Sequence, residues 1–388
     1  MEQKCIVHFL PAEAGDCFLL ENESKNCILI DCGYRTTYLN ELKPLLNRLA
    51  KEGCRISLMI ISHIDEDHLG GAVAFLEDNK DSDNPQIIPV DNIWFNGILA
   101  VCGKSDKILS HINEKLESCE NKKYQEVFGQ VLKQLKGEPG PISVRGSESF
   151  EVLCEKYNYK VNQGLKNGLV ERGIEKGFQG FKVRVLSPNK TLLERFESYI
   201  HHELIKCFGT NYIIFHENKF FGFLEKLFVV LGKDENGTLR KQYISSSTPK
   251  IENWFGTSTM AAMNIVNRAS IVVEIEYDGH CMLFMGDSES EDWLDEASGH
   301  YDLVKLSHHG TTKPNIAILS NIECDKAIIS TNGIRNNHPE DELLANVIKA
   351  GIPEIYFNYD IDRKNDIIFL QNRYNFKTFF GLKEIVIG

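Results

Sequence analysis

The first hundred residues alternate short apolar runs with turns. The segments IVHFL (6–10), CFLLE (17–21) and CILID (27–31) are separated by Gly and Asn/Lys turns and predict strands. Leucines at helical spacing over 38–52 predict a helix, with Pro44 interrupting the pattern. ISLMIIS (56–62) is a continuous apolar run of strand length, which suits a strand buried on both faces. GGAVAFLED (70–78) then predicts a helix and NIWF (92–95) a further strand.

The middle of the chain is harder to read. KYQEVFGQVLKQL (123–135) has helical spacing, GEPGP (137–141) is a break, FKVRVLSP (181–188) alternates as a strand does, and 192–208 predicts a helix. Residues 209–264 carry a weak pattern and read as an insertion. Within them, the apolar and aromatic stretch 212–230 predicts core or a contact with a second copy or another protein, because so many large apolar groups are rarely left in water. Order returns at SIVVEIEY (270–277), the Asp278-Gly279 turn and HCMLFMGD (280–287), a strong hairpin signal. SEDWLDEAS predicts a helix, DLVKLS (302–307) a strand, NIAILSN (315–321) a helix and KAIISTNG (326–333) a strand and turn. PEDELLANVIKAG (339–351) predicts a helix with Pro at its start and Gly at its end. EIYFN (354–358), DIIFLQN (366–372) and EIVIG (384–388) predict closing strands. Repeated βα and ββ units in both halves predict layered sheets with helices outside.

Composition narrows the class. The 388 residues are 42% apolar and 25% charged, ordinary for a soluble globular chain. No apolar run reaches the ~18 residues that cross a bilayer. The N-terminus lacks the basic flank and apolar stretch of a secretory signal. The 11 cysteines have no repeated spacing, and several fall in apolar runs, so they predict reduced, buried thiols and a cytoplasmic protein. Cys27 and Cys32 lack a second Cys or His pair nearby and do not predict a zinc site. A net charge of −12 argues against a protein that coats nucleic acid, and leaves room for a phosphodiester in a local, metal-neutralised cleft.

One segment dominates the chemistry. IISHIDEDHLGG (60–71) places His63, Asp65, Asp67 and His68 directly after a buried strand and before a Gly-Gly helix start. Crowded carboxylates repel one another and call for a cation. Imidazole with carboxylate suits zinc, manganese or iron. Gly70 and Gly71 permit close backbone approach beside these groups, which argues against a solvated acidic turn. Three later strand ends carry polar tips of the same form: Asp287 in FMGDSE, His308 and His309 in KLSHHGTTKPN, and Asn332 and His338 in STNGIRNNHPED. In layered α/β folds sites gather beyond the carboxyl ends of strands, so these tips are expected to converge.

HIDEDH resembles the HxHxDH signature of the metallo-β-lactamase fold, with Asp65 where the second His usually sits. That change is similar to the branch of the hydrolase domain of the ComEC competence protein. AGDCFLLE with LIDCG, NRASIVVEIEYDGHCMLFMGD (267–287), VKLSHHGTTKPN and ISTNGIRNNHP resemble further blocks of that branch, with Thr311 in place of a Ser. The likeness covers 1–98 and 265–345.

The resemblance implies a single domain over 1–388 with a four-layer αββα sandwich. A first half would span 1–98, an insertion and substrate wall 99–265, and a second half 266–388. It implies one or two divalent ions, zinc or manganese, held by His63, Asp65, Asp67, His68, Asp287 and His308 or His309. Asp31 would orient a ligand from behind, as would Asn332 from the closing loop. Asp67 would hold the attacking water, and His338 would stabilise developing charge or protonate the leaving group. Lys305 and Lys313 flank the HHG loop and would attract an anionic substrate. Many members supply another His between the first motif and the GD strand. Here His111, His201, His202 and His216 lack a recognisable flank. The implied activity is a metal-dependent phosphodiesterase or nuclease acting on nucleic acid or a nucleotide. The alternatives are hydrolysis of a lactone, thioester or amide, and a catalytically silent binding or signalling module.

Overall fold

The computed structural model describes residues 3–102, 150–208, 249–258, 260–334 and 338–388. The helix expected over 123–135, the break at 137–141, the aromatic stretch 212–230, His111 and His216 lie outside them.

The first sheet is built from β1 (Cys5–Phe9), β2 (Phe18–Asn22), β3 (Asn26–Ile30), β4 (Arg55–Ile61) and β5 (Ile93–Phe95). β1, β2 and β3 form an antiparallel meander, and β4 and β5 add to it in parallel. The second sheet begins with β6 (Glu175–Phe178), β7 (Phe181–Ser187), β8 (Val272–Tyr277) and β9 (His280–Phe284), an antiparallel ribbon. A short strand β10 (His300–Tyr301) precedes β11 (Leu303–Lys305), and β12 (Glu323–Cys324) precedes β13 (Lys326–Ile329); β10 pairs only with β12. β11, β13, β14 (Glu354–Phe357) and β15 (Lys377–Phe380) continue the second sheet in parallel from β9. The last strand, β16 (Glu384–Ile387), returns to the first sheet and pairs antiparallel with β1.

Period-two patterning explains why the sheets stack. In β1, Cys5, Val7 and Phe9 face the space between the sheets, as do Phe18 and Leu20 of β2 and Ile28 and Ile30 of β3. They meet Phe181, Val183, Val273, Ile275 and Phe284 from the second sheet. Phe18 and Phe284 close across the gap edge-on, with ring centroids 5.5 Å apart. Burying each such ring stabilises the stack by roughly 1.5–3 kcal/mol. Leu19, Leu29, Met59 and Ile61 point the other way, into a core shared with the helices Lys43–Lys51, Glu66–Asn79 and Phe150–Lys156. A third core lies under the helices Lys313–Asn321, Asp341–Lys349 and Lys364–Tyr374 on the far face of the second sheet. Three apolar cores between four layers give the αββα sandwich. β4 is buried at every residue after Arg55, as its unbroken apolar run predicted.

The structure departs from the sequence reading at four places. DIIFLQN is not a strand: Ile367 and Leu370, three apart, are buried in the helix Lys364–Tyr374, while Ile368 and Phe369 face out, and Lys377–Phe380 supplies the strand instead. SEDWLDEAS forms two single 3₁₀ turns around the buried Trp293. The helix over 38–52 divides into a π turn, Tyr38–Leu42, and the α-helix Lys43–Lys51, whose first turn holds Pro44, where a missing N–H costs nothing. Strands β6 and β7 fall within the expected insertion, and β7 pairs with β8, so this part of 99–265 belongs to the second sheet.

Candidate metal centre

The site lies where the carboxyl ends of β3, β4, β9, β11 and β13 converge. Each contributes the loop that follows it. Asp31 follows β3, Ser62 to His68 follow β4, Asp287 follows β9, His308 and His309 follow β11, and His338 lies in the loop after β13. Asp16, in the turn between β1 and β2, joins them. Two glycines let these segments touch. A Cβ on Gly15 would overlap the carbonyl of Asp67, and one on Gly71 would overlap the carbonyl of Cys32. These contacts seat the start of the helix Glu66–Asn79 against both loops, with Asp16 N donating to Asp67 O at 3.2 Å and Cys32 N to His68 O at 2.9 Å.

Asp287 is the hub. Its Oδ2 faces four imidazole Nε2 atoms: His309 at 3.3 Å, His68 at 3.4 Å, His308 at 3.8 Å and His63 at 3.9 Å. Two more carboxylates close in. Asp67 Oδ2 lies 3.4 Å from His309 Nε2, and Asp65 Oδ2 lies 3.6 Å from His63 Nε2.

Behind each ring a polar group faces Nδ1, hydrogen-bonded to it in His63, His68 and His308. Asp31 Oδ2 accepts from His68 Nδ1 at 2.8 Å, and the same carboxylate accepts Ser62 N and Ser62 Oγ, each at 2.7 Å. Ser62 Oγ, its hydrogen committed to Asp31, lies 3.0 Å from His63 Nδ1, and Ser270 Oγ lies 3.3 Å from it. Thr311 Oγ1 holds His308 Nδ1 at 2.9 Å, and Asp16 Oδ1 faces His309 Nδ1 at 3.4 Å. A partner on Nδ1 turns the ring so that its Nε2 points into the pocket, the arrangement that serves a metal ligand.

The pocket-facing atoms are short of partners. His63 Nε2, His68 Nε2, His309 Nε2, Asp65 Oδ1 and Asp287 Oδ1 are buried with no hydrogen bond. Buried polar atoms are normally satisfied, so a cluster of orphans marks where a ligand belongs. The electrostatics agree. Burial alone would raise the Asp287 carboxyl, but His309, His68 and His308 outweigh it and hold it well below the usual range. Burial alone would lower His68, yet Asp287, Asp31 and Asp67 outweigh it and hold that imidazole well above its ordinary value. His309 is raised in the same way, with Asp287 and Asp16 overcoming its burial. His308 goes the other way: burial, with His309 beside it, outweighs Asp287 and keeps it low. The carboxylates therefore demand positive charge at this point. Asp16, His68, Asp287 and His309 bring one donor atom each within 4.8 Å of one another, a group that could hold a metal ion.

Sequence reasoning expected His63, Asp65, Asp67, His68, Asp287, His308 and His309 to converge; in the structure the four imidazoles face Asp287, with Asp65 beside His63 and Asp67 beside His309. Asp31 stands behind His68. His338 is buried at the rim, with Nε2 3.0 Å from Thr311 Oγ1 and its ring centroid 5.3 Å from that of His308.

Three expectations need correction. Lys305 does not meet a substrate: it is buried, ion-pairs with Asp16, donates to Gly286 O at 2.9 Å and stands 3.8 Å from Asp287 Oδ1. It faces inward because the carboxylates there need a counter-charge. Lys313 is held by Glu289 at 2.7 Å. The Asn332 side chain caps its own loop, accepting Ile334 N at 3.1 Å. Reasoning from sequence also missed Asp16 and the hydroxyls of Ser62, Ser270 and Thr311. Asp16 had one signal, the Gly-Asp step before a buried strand; the hydroxyls had none.

Residues 10–82 match the model of the metallo-beta-lactamase superfamily, a span that holds Asp16, Asp31 and the whole 63–68 motif. Among solved structures the chain is similar to the metallo-beta-lactamase fold protein YhfI from Bacillus subtilis, at 8% identity over 99% of each chain with a TM-score of 0.41. It is also similar to BLEG-1 B3 metallo-beta-lactamase, at 11% identity over 81% of this chain and 84% of that one, with a TM-score of 0.28. No curated protein sequence matches the chain. The family match and the αββα layer order together give the metallo-β-lactamase fold.

Proposed function

We propose that this metallo-β-lactamase-fold chain is a metal-dependent hydrolase that cleaves phosphodiesters, in a nucleotide or in nucleic acid held in a local cleft. One observation carries the reading: four imidazole Nε2 atoms gather round a single buried carboxylate oxygen, Asp287 Oδ2, with the Asp65 and Asp67 carboxylates beside them, and the Nε2 atoms of His63, His68 and His309 are buried without a hydrogen bond. The donor set fits a divalent cation. The orphaned Nε2 atoms of His68 and His309 would hold it, with the Asp287 carboxylate 3.4 and 3.3 Å from them and the Asp67 carboxylate 3.4 Å from His309. When bound, such a cation supplies Lewis acidity, lowering the pKa of water toward about 7.

The chain's own groups do the rest. Asp67 is the most open of these carboxylates, its side chain 23% exposed, and it holds and orients the attacking water. His338 is kept well below the ordinary imidazole range by burial, reinforced by His308 and His309, so it acts as a neutral hydrogen-bond donor to developing charge. A mixed set of hard carboxylate oxygens and imidazoles accepts manganese as well as zinc, which suits phosphate chemistry. The motif likeness to the ComEC-like branch favours the same substrate class.

Turnover of a bis-aryl phosphodiester reporter, run beside a lactone reporter, tests the reading. Phosphodiester cleavage that is abolished by chelation and restored by zinc or manganese is the expected result. Cleavage of the lactone alone would overturn the substrate class and leave metal-dependent hydrolysis standing.

A further inference from the structure

We infer that Asn267 is a substrate-contacting residue of this centre, its carboxamide nitrogen the hydrogen-bond donor that meets a phosphoryl oxygen. The inference rests on the phosphodiester reading above and adds to it a side chain, outside the donor set, that recognises the substrate's charge.

The side chain is placed for this. Asn267 lies in the short helix Ile265–Arg268, ahead of the β8–β9 hairpin that ends at Asp287, and is 4% exposed. Its Nδ2 stands 3.3 Å from His308 Nε2, which stands 3.8 Å from Asp287 Oδ2. The His308 side chain beside it keeps 18% of its surface open, so the amide sits just inside the rim of the pocket.

The carboxamide is incompletely satisfied. Its Oδ1 is buried with no hydrogen bond. Its Nδ2 carries two hydrogens, and among the described residues only His308 Nε2 accepts one of them. That bond is long, and an imidazole whose Nε2 lone pair serves a cation can no longer accept it. Both ends of a buried amide would then stand without partners, a state that folded chains avoid. An acceptor oxygen arriving in the pocket supplies the missing partner for the nitrogen.

Charge explains why the donor is a neutral amide. Asp65, Asp67 and Asp287 surround the place, and an ammonium or guanidinium there would pair with carboxylates in preference to substrate. The cations on the neighbouring segments are committed in that way: Lys305 to Asp16, Lys313 to Glu289, and Arg268 to Asp292 and Glu289. An amide N–H forms no ion pair and still donates to an anionic oxygen. It is also held in advance. Asn264 Oδ1 accepts Asn267 N at 2.9 Å, Ser270 N donates to Asn267 O at 2.9 Å, and Arg268 Nε donates to Asp292 at 2.8 Å. Ser270 Oγ then accepts Asp287 N at 3.3 Å, so one brace fixes the amide and the hub together. A donor fixed before charge arrives needs no reorganisation to meet it.

The test separates the substrate's contact from the metal's. The full-length chain is stripped with a chelator and titrated with Zn²⁺ by calorimetry. The zinc-loaded protein is then titrated with inorganic phosphate, and its turnover of the bis-aryl phosphodiester is measured. Asn267→Ala should weaken phosphate binding roughly 10-fold or more, as the loss of a hydrogen bond to a charged group does, and lower kcat/KM by a similar factor. Its zinc affinity should change less than about threefold, short of the roughly 10-fold that follows when a ligand loses its support. Asn267→Asp keeps the shape and sets a carboxylate where the donor stood, so phosphate should weaken further while zinc binds at least as tightly as in the wild type. Circular dichroism of each variant separates a lost contact from a lost fold. An Asn267→Asp variant that binds phosphate and turns over the reporter as the wild type does would overturn the inference and leave the phosphodiester reading standing. So would equal losses of zinc and phosphate affinity in Asn267→Ala, the pattern of a residue that only holds His308. A zinc-loaded wild type that neither binds phosphate nor cleaves the reporter would bring down the phosphodiester reading as well.

Discussion

A cluster of titratable groups stands at each end of β3 and β4, and only one of the two resembles a metal centre. At their carboxyl ends stands the Asp287 hub. At their amino ends Glu21, Cys54 and Glu52 also bring donor atoms within 4.8 Å of one another. By residue type the two look alike. By satisfaction they differ. Glu21 faces His8 Nε2 at 3.4 Å and Lys25 at 3.7 Å, and Cys54 Sγ lies 3.8 Å from its other oxygen. Glu52 pairs with Lys25 and Arg48. Every carboxylate in that cluster already has its cation. At the hub the carboxylates outnumber the one buried ammonium, and the inward nitrogens and oxygens are left without hydrogen bonds. What identifies a cation site is the unmet demand for positive charge, not the presence of acids and imidazoles.

That contrast breaks most readily at the shared oxygen. Asp287→Ala is expected to reduce metal content to near zero and to lower kcat/KM by at least ~10³-fold, about 4 kcal/mol of transition-state stabilisation. Glu21→Ala, read in the same two assays, is expected to change neither. Metal retained by Asp287→Ala, or lost from Glu21→Ala, would reverse the assignment of the two clusters.

Lys305 tests the same idea through folding. It is the hub's built-in cation, sealed against Asp16 and near Asp287. Lys305→Met removes it and leaves the carboxylates uncompensated, so denaturant unfolding of the metal-free chain should show a loss of roughly 3–5 kcal/mol. Saturating zinc should recover part of that loss by binding the folded state. A loss under about 1 kcal/mol would mean that the charge at the hub is already balanced without it.

A smaller effect is expected behind the ligands. Asp31→Asn keeps the shape and removes the charge that orients His68, and it should weaken zinc binding roughly 10- to 100-fold while leaving the fold intact. Unchanged affinity would assign Asp31 to the loop after β3 alone, through its bonds to Ser62.

The sequence disclosed the inner ring of the hub because its residue types are improbable together. Five ionisable side chains within six positions after an apolar strand are costly to keep side by side unless a cation joins some of them, and Asp287 and the 308–309 pair repeat that placement. Asp16 was hidden because a single aspartate before a strand looks like any turn; only the close packing at Gly15 shows where it goes. Lys305 was misread because lysine at a strand end is usually solvated, and nothing local reports the depth of the carboxylates it meets. DIIFLQN misled because four apolar residues in a row satisfy both periods. The layered fold was legible because its cores depend on alternation summed over many strands, which no single misreading disturbs.

The smallest effect expected belongs to the satisfied cluster and appears as pH dependence. The hydrogen bond from His8, with help from Lys25 and Arg48, holds the Glu21 carboxyl below its ordinary 4.5 against the opposing pull of burial. A depressed carboxyl contributes stability that is present above the unfolded value and is lost as pH falls through the folded one. Glu21→Gln keeps the shape and cannot ionise, so it should be slightly less stable than the wild type near neutrality, by no more than about 1 kcal/mol. The gap should close as the pH falls below about 4.5 and the native carboxylate takes up its proton. Thermal unfolding of both proteins from about pH 7 to about pH 3, with metal removed by chelation, measures this. A gap that widens on acidification would show that Glu21 is held neutral in the fold, and the cluster at the amino ends of β3 and β4 would then carry an unmet demand of its own.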